Sequence, residues 1–171
     1  MCVLAALGLD VASFEDEPVQ RVARLTPRLG DAATGATTWG GGWRTGVRDA
    51  VLHNGVGVHG RFQDDTDMVA WAHPSPVALT LTEHADGSVD RACRALLGGY
   101  AALTWLGATE HVSRAVVERG FRAGPTLGVV TAAVTGSIAL GLDQEATRNA
   151  IGIAADSAGG ALEPVRAGAE D

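Results

Sequence analysis

Between residues 54 and 75 the chain reads NGVGVHGRFQDDTDMVAWAHPS, which brings His59, Asp64, Asp65, Thr66, Asp67 and His73 into one short stretch. Imidazoles and carboxylates held together between packed elements are suited to general acid and base work, because their proton affinities can be tuned towards neutrality. The same spacing also fits a bland arrangement. In that arrangement Asp64, Asp65 and Thr66 cap the next helical turn and His59 hydrogen-bonds within the core. Spacing alone leaves both open.

Other candidates carry less chemistry. All thirteen basic residues are arginine, so a Schiff base or a lysine general base is excluded. Cys2 and Cys93 form no CxxC pair and no cysteine–histidine cluster at zinc spacing, so neither a disulfide framework nor a structural metal is expected. GGGWRTG lacks the strand–GxGxxG–helix setting of a nucleotide site. Trp39 and Trp43 in that loop read either as a lid or as packing aromatics. His84 and His111 read as solvated, and Asp156 and Ser157 as facing a cleft or capping a helix.

The elements that must position these residues are helices. Val89, Ala92, Cys93, Leu96, Leu97 and Tyr100 recur at the spacing of one helical face. Ser75 before Pro76, Ser88, Thr109 and Asp143 mark helix starts, while Asp86-Gly87, Gly107 and Gly141 mark breaks. PTLGVVTAAVTGSIALGL and RNAIGIAADSAGG are rich in small residues, which allow helices to approach closely. The opening MCVLAALGLDVA is apolar but short, lacks a basic lead, and runs into Glu15, Asp16 and Glu17. It reads as a buried helix rather than a signal peptide or a span. Residues 30–46, with many glycines and two tryptophans, read as the one long loop. No repeat and no linker divides the 171 residues, and 46% hydrophobic composition suffices for a core, so a single all-α domain over 1–171 is expected. The net charge of −7 gives no reason to expect nucleic acid or an anionic membrane as partner.

NGxxxH, DDT and HPS, in this order and spacing, resemble the signature of the MmgE/PrpD family, which includes 2-methylcitrate dehydratase and cis-aconitate decarboxylase. ERGF at 118–121, the glycine of TLG at 128, LGLDQE and AIGIAADSAGG continue the match from about Val3 to the last residues. The resemblance implies the family's helical domain without its α/β lid, and an active site in a cleft with a dimer partner nearby.

It also implies departures. The catalytic aspartate of the family's HxxDFDDT falls on Phe62, while Asp64, Asp65 and Thr66 remain. The HPS histidine is kept as His73, a second family histidine falls on Arg122, and the lysine of KPLHAG has no counterpart in EPVRAG at 163–168. Phenylalanine removes a proton acceptor, and arginine installs a permanent cation with five donors.

Two functions are therefore weighed. One is a cofactor-independent lyase or isomerase acting by proton transfer on a carbonyl- or carboxylate-containing metabolite, with no metal, in a bacterial cytoplasm, with specialised metabolism as one setting. His73, Asp65 and Thr66 would carry its catalysis, while Arg122, Asp64, His59 and Phe62 would contact or support the substrate. Dehydration, double-bond isomerisation, epimerisation and cyclisation all fit. The other is a non-catalytic partner subunit or ligand-binding protein. Either would form a homodimer or a hetero-oligomer to cover an exposed face.

Overall fold

The computed structural model describes residues 2–29 and 35–166. Residues 30–34 of the expected loop, and Ala167 and Gly168 of the EPVRAG segment, lie outside the described residues. The chain is all-α, apart from one two-stranded hairpin.

Helices α1 (Cys2–Ser13) and α2 (Glu17–Leu25) lead to strands β1 (Ala36–Thr37) and β2 (Arg44–Thr45), and then to α3 (Val47–His59). The strands pair antiparallel, Ala36 with Thr45 and Thr37 with Arg44, so the expected loop contains a small hairpin. Thr38 stabilises its tip by donating from N to the Trp43 carbonyl at 2.9 Å. Helix α1 is buried on one face only. Ala6, Asp10 and Ser13 point inward against α3, while Leu4 and Val11 face outward, so the expectation of a buried helix holds for half its circumference.

After α3 an irregular segment, 61–74, leads into a π-helical turn (Ser75–Leu79) and a 3-10 turn (Thr80–Ala85). This is a second long stretch without regular structure, beyond the one expected. Helix α4 (Val89–Ala108), α5 (Val112–Glu118), α6 (Ala123–Leu140), α7 (Gln144–Asp156) and the short α8 (Glu163–Arg166) complete the chain. Ser88 and Asp143 cap α4 and α7, accepting from the backbone N–H groups of Arg91 and Ala146, as their spacing predicts. Thr109 instead bonds back to the Trp105 carbonyl and ends α4 rather than opening a new α-helix.

Helices α4 and α6 form the most extensive helix pair and run antiparallel, with Gly98 against Ile138 and Arg91 near Gly141. The buried stripe of α4 is Ala95, Gly99, Leu103 and Gly107. This corrects the face read from periodicity. Val89, Cys93 and Leu97 are exposed, and Ala92, Leu96 and Tyr100 lie at the margin. The reason is close approach. A Cβ at 99 would overlap Thr135, and one at 107 would overlap the backbone of Ala70, so small residues rather than large ones mark the contact. Gly107 lies one residue before the end of α4, so the expected break falls there, and it also forms a notch for the neighbouring chain. Leu103 fills the space between the two glycines, and its burial contributes roughly 2 kcal/mol.

Helix α6 is long and apolar enough to cross a membrane. Here it is the central helix, packed on α4, α5 and α7, with Thr131 and Thr135 buried and bonded to the carbonyls one turn back.

Candidate functional site

Helix α3 ends at His59, and Gly60 N bonds back to the Val56 carbonyl, so His59 sits where the chain leaves the helix. Phe62 follows in the left-handed region, φ 52°, its N–H bonded to the His59 carbonyl at 2.9 Å. That conformation costs a residue with a side chain roughly 1 kcal/mol. It turns the chain sharply and sets the Phe62 ring 4.5 Å from that of His59.

Three anchors then hold the segment against α4. Asp65 accepts from Ser75 N at 3.1 Å and from the Tyr100 hydroxyl, which also bonds Ser75 Oγ at 2.8 Å. Asp67 accepts from Val69 N, Ala70 N and the Thr104 hydroxyl. Burial raises its pKa, but these bonds outweigh that effect and leave it below the usual carboxylate range. Ala70 sits in the Gly107 notch. An antiparallel bridge between Asp67 and Ala72 closes the turn and delivers His73.

The outcome is a carboxylate shared by two imidazoles. His59 Nδ1 lies 3.0 Å from Asp64 Oδ2, and His73 Nδ1 lies 3.4 Å from the same oxygen. Thr66 Oγ1 is also 3.4 Å from His73 Nδ1. The Asp64 side chain is fully buried, whereas both histidine side chains are 25% exposed. Because a carboxylate only accepts, the His59 contact favours the Nδ1–H tautomer and leaves His59 Nε2 with its lone pair, while His73 Nδ1 meets the Thr66 hydroxyl, which can either donate or accept. The rings meet edge to face, 4.7 Å apart.

Both histidines line a cleft of about 570 Å³ between α3, the π-helical turn and α6. Arg122 lines it too, immediately before the N-terminus of α6. Its backbone is held by a bridge between Phe121 and Ala161, with Arg122 N donating to the Gly160 carbonyl at 2.9 Å. Phe62 closes one side of the cleft.

The residues singled out by sequence thus separate into groups. His59, Phe62, His73 and Arg122 reach the cleft wall. Asp64 lies behind the histidines, with Thr66 against His73. Asp65 is engaged with Ser75 and Tyr100, off the wall, so direct support of the histidines falls to Asp64. Ser75 gives its hydroxyl to Tyr100 rather than to a helix N-terminus. Trp39 packs on the cluster of Ala6, Val58 and Leu79, and Trp43 packs against Phe14 and His53. Both are packing aromatics and neither lines the cleft. His111 is exposed and His84 half-buried, both away from the cleft. Asp156 and Ser157 end α7, where Ser157 Oγ bonds the Ile153 carbonyl.

One set of ligand atoms among the described residues could hold a metal ion. His59, Asp64 and His73 offer atoms within 4.8 Å of one another. Cysteine spacing, on which the expectation of no structural metal rested, does not address such a set.

Sequence reasoning missed two groups. Tyr100 is the chain's one tyrosine, and a lone phenol on an otherwise aliphatic helix could have drawn attention. The second lies beneath the hairpin. Asp10, the one charge in α1, is fully buried, accepts from Gly40 N at 2.7 Å, and has its pKa pushed up to about 6 by desolvation, which outweighs that bond. His53 is fully buried between Trp43 and Phe14 with neither ring nitrogen hydrogen-bonded, and desolvation lowers its pKa.

Comparison with individually described proteins returns no significant match to this chain. The family comparison is decisive: the pattern of the MmgE/PrpD N-terminal domain matches residues 1–170. It covers the helices, the shared-carboxylate histidines and the cleft alike, and the chain belongs to the MmgE/PrpD family through that domain.

Proposed function

We propose that this chain is a lyase or isomerase that moves protons on a carbonyl- or carboxylate-containing metabolite without a cofactor. Membership of a dehydratase-like family supports the lyase relationship. The observation that carries the finer reading is the pair of cleft-lining histidines turned by one buried carboxylate, with Arg122 on the same wall.

In this reading one imidazole Nε2 takes a proton from the carbon next to a carbonyl or carboxyl group. Arg122 steadies the negative charge that develops on oxygen. The imidazole that took the proton then returns it to carbon, or passes it to a departing hydroxyl that leaves as water, and is neutral again. His73 is the principal acid or base, Asp64 and Thr66 are positioning residues, and Asp65 holds the segment that carries them. Phe62 replaces a polar catalytic group by an apolar wall, so the reaction does not copy that of family members with an aspartate there.

The test is hydrogen–deuterium exchange in D2O with a panel of 3-hydroxy and 2-enoic carboxylic acids of short and long chain. Deuterium incorporated next to the carboxyl group, and lost in His73→Ala, is the expected result. No exchange across the panel, or exchange unchanged in His73→Ala, overturns the reading.

A second reading, a partner subunit, draws on a different surface. Val89, Leu97 and Trp105 stand 76%, 70% and 67% exposed along α4, and large apolar side chains this exposed are candidates for cover by another chain. Purified alone, a partner subunit would aggregate or precipitate. A monodisperse homodimer measured by light scattering would instead favour self-association and the catalytic reading.

A further inference from the structure

The side chains of the cleft wall fall into two classes. Val56, Phe62, Val77, Leu81, Val129 and Ala132 represent the larger class, in which all members are aliphatic, aromatic, proline or glycine. The other class is His59, His73 and Arg122. No hydroxyl, amide or carboxylate side chain of a described residue joins them on the wall. The nearest carboxylate, Asp64, is fully buried behind the histidines and already serves both.

This distribution sets what can bind. One anionic head can be met by Arg122, by the N-terminus of α6 that follows it, and by an imidazole. A second or third carboxylate would lie against aliphatic side chains, where an unpaired charge is strongly disfavoured. An apolar body, in contrast, gains from every methylene removed from water. The α3 wall alone runs from Val51 to His59, about 12 Å of helix rise.

We propose that the cleft takes an amphiphilic monocarboxylate, with its acid head at Arg122 and the histidines and an extended hydrocarbon body between α3 and α6. This rests on reading the cleft as the place where the chemistry occurs. It adds to that reading a substrate class unlike a short polycarboxylate.

Isothermal titration of the whole chain with octanoate, dodecanoate, dodecan-1-ol and citrate tests it. One dodecanoate binds per chain, about a hundredfold tighter than octanoate, because each buried methylene is worth roughly a factor of three to four. Citrate binds at least a hundredfold more weakly than dodecanoate. Arg122→Leu weakens dodecanoate about tenfold while leaving dodecan-1-ol unchanged. Ala132→Leu, which fills the apolar end without touching the head, removes most of the preference for dodecanoate over octanoate. Citrate binding more tightly than dodecanoate overturns the proposal, as does a stoichiometry well above one or a chain-length preference untouched by Ala132→Leu. Failure is separable from failure of the catalytic reading. Dodecanoate binding without any deuterium exchange leaves this inference standing and removes the enzyme, whereas exchange on short polycarboxylates does the reverse.

Discussion

His53 and His59 lie on the same helix and differ in almost everything else. His53 is fully buried, packed against Trp43 and Phe14, and its two ring nitrogens have no hydrogen-bond partner. His59 is partly exposed, lines the cleft, and turns Nδ1 towards a buried carboxylate. Both are surrounded by aromatic rings, so aromatic packing does not separate them. What separates them is a partner that fixes the tautomer and an opening through which the other nitrogen can be reached. His53 acts as an aromatic filler. Asp10, the buried carboxylate of α1, is directed instead at Gly40 and Gly57.

The contrast can be broken most forcefully at Gly57. A methyl group there would overlap Asp10 Oδ1 and crowd its backbone, and the carboxylate is buried and held by Gly40 N. Gly57→Ala is expected to cost about 3 kcal/mol or to prevent folding, read from urea unfolding. A loss below 1 kcal/mol would show that the Asp10 side of α3 is looser than described. On the other side, Asp64→Asn keeps the shape but presents an amide to the Nδ1–H of His59 and beside the His73 ring. Proton transfer at the cleft should fall about a hundredfold and the tautomers of His59 and His73 should change in 15N spectra, with a smaller stability loss than Gly57→Ala. Unchanged tautomers would remove Asp64 from its role.

The third comparison is in pH. Asp10 has a folded pKa near 6, above its ordinary value of 3.8, so its stabilisation is fully present below about 4 and is lost as pH rises through 6. The loss is about 3 kcal/mol on the scale of that shift. Asp10→Asn should flatten the stability profile over this window, since an amide oxygen still accepts from Gly40. His53 has the opposite sign. Its depressed pKa means that the unfolded chain gains a proton first, so its contribution to stability grows as pH rises to the ordinary histidine value. His53→Leu removes two unbonded buried nitrogens and should stabilise the chain by about 1 kcal/mol at neutral pH, with deuterium exchange at the cleft unchanged. A fall in exchange would mean that the two histidines are coupled.

The helical class, the caps at Ser88 and Asp143 and the grouping of His59, Asp64 and His73 were legible because each is written in local order. The motif places the two histidines on either side of one loop, and the loop returns on itself. The inward face of α4 was not legible, because periodicity weights large apolar residues while this contact is made by Ala95, Gly99 and Gly107. Nor was the division of labour between Asp64 and Asp65. Adjacent carboxylates are equivalent in sequence, and only the long-range Tyr100 and Ser75 contacts assign Asp65 elsewhere. Asp10 escaped notice because nothing local tells a buried aspartate from one on the outer side of an apolar helix.

The notch at Gly107 gives the motif a dependence on a residue far away in the chain. His73 reaches the cleft because the turn before it seats Ala70 against the bare backbone of α4. A descendant of this sequence could therefore keep DDT and HPS letter for letter and still lose the site by acquiring a single methyl group at position 107. For sorting relatives into those that retain the site and those that have drifted, that silent glycine is as informative as the histidine it helps to place.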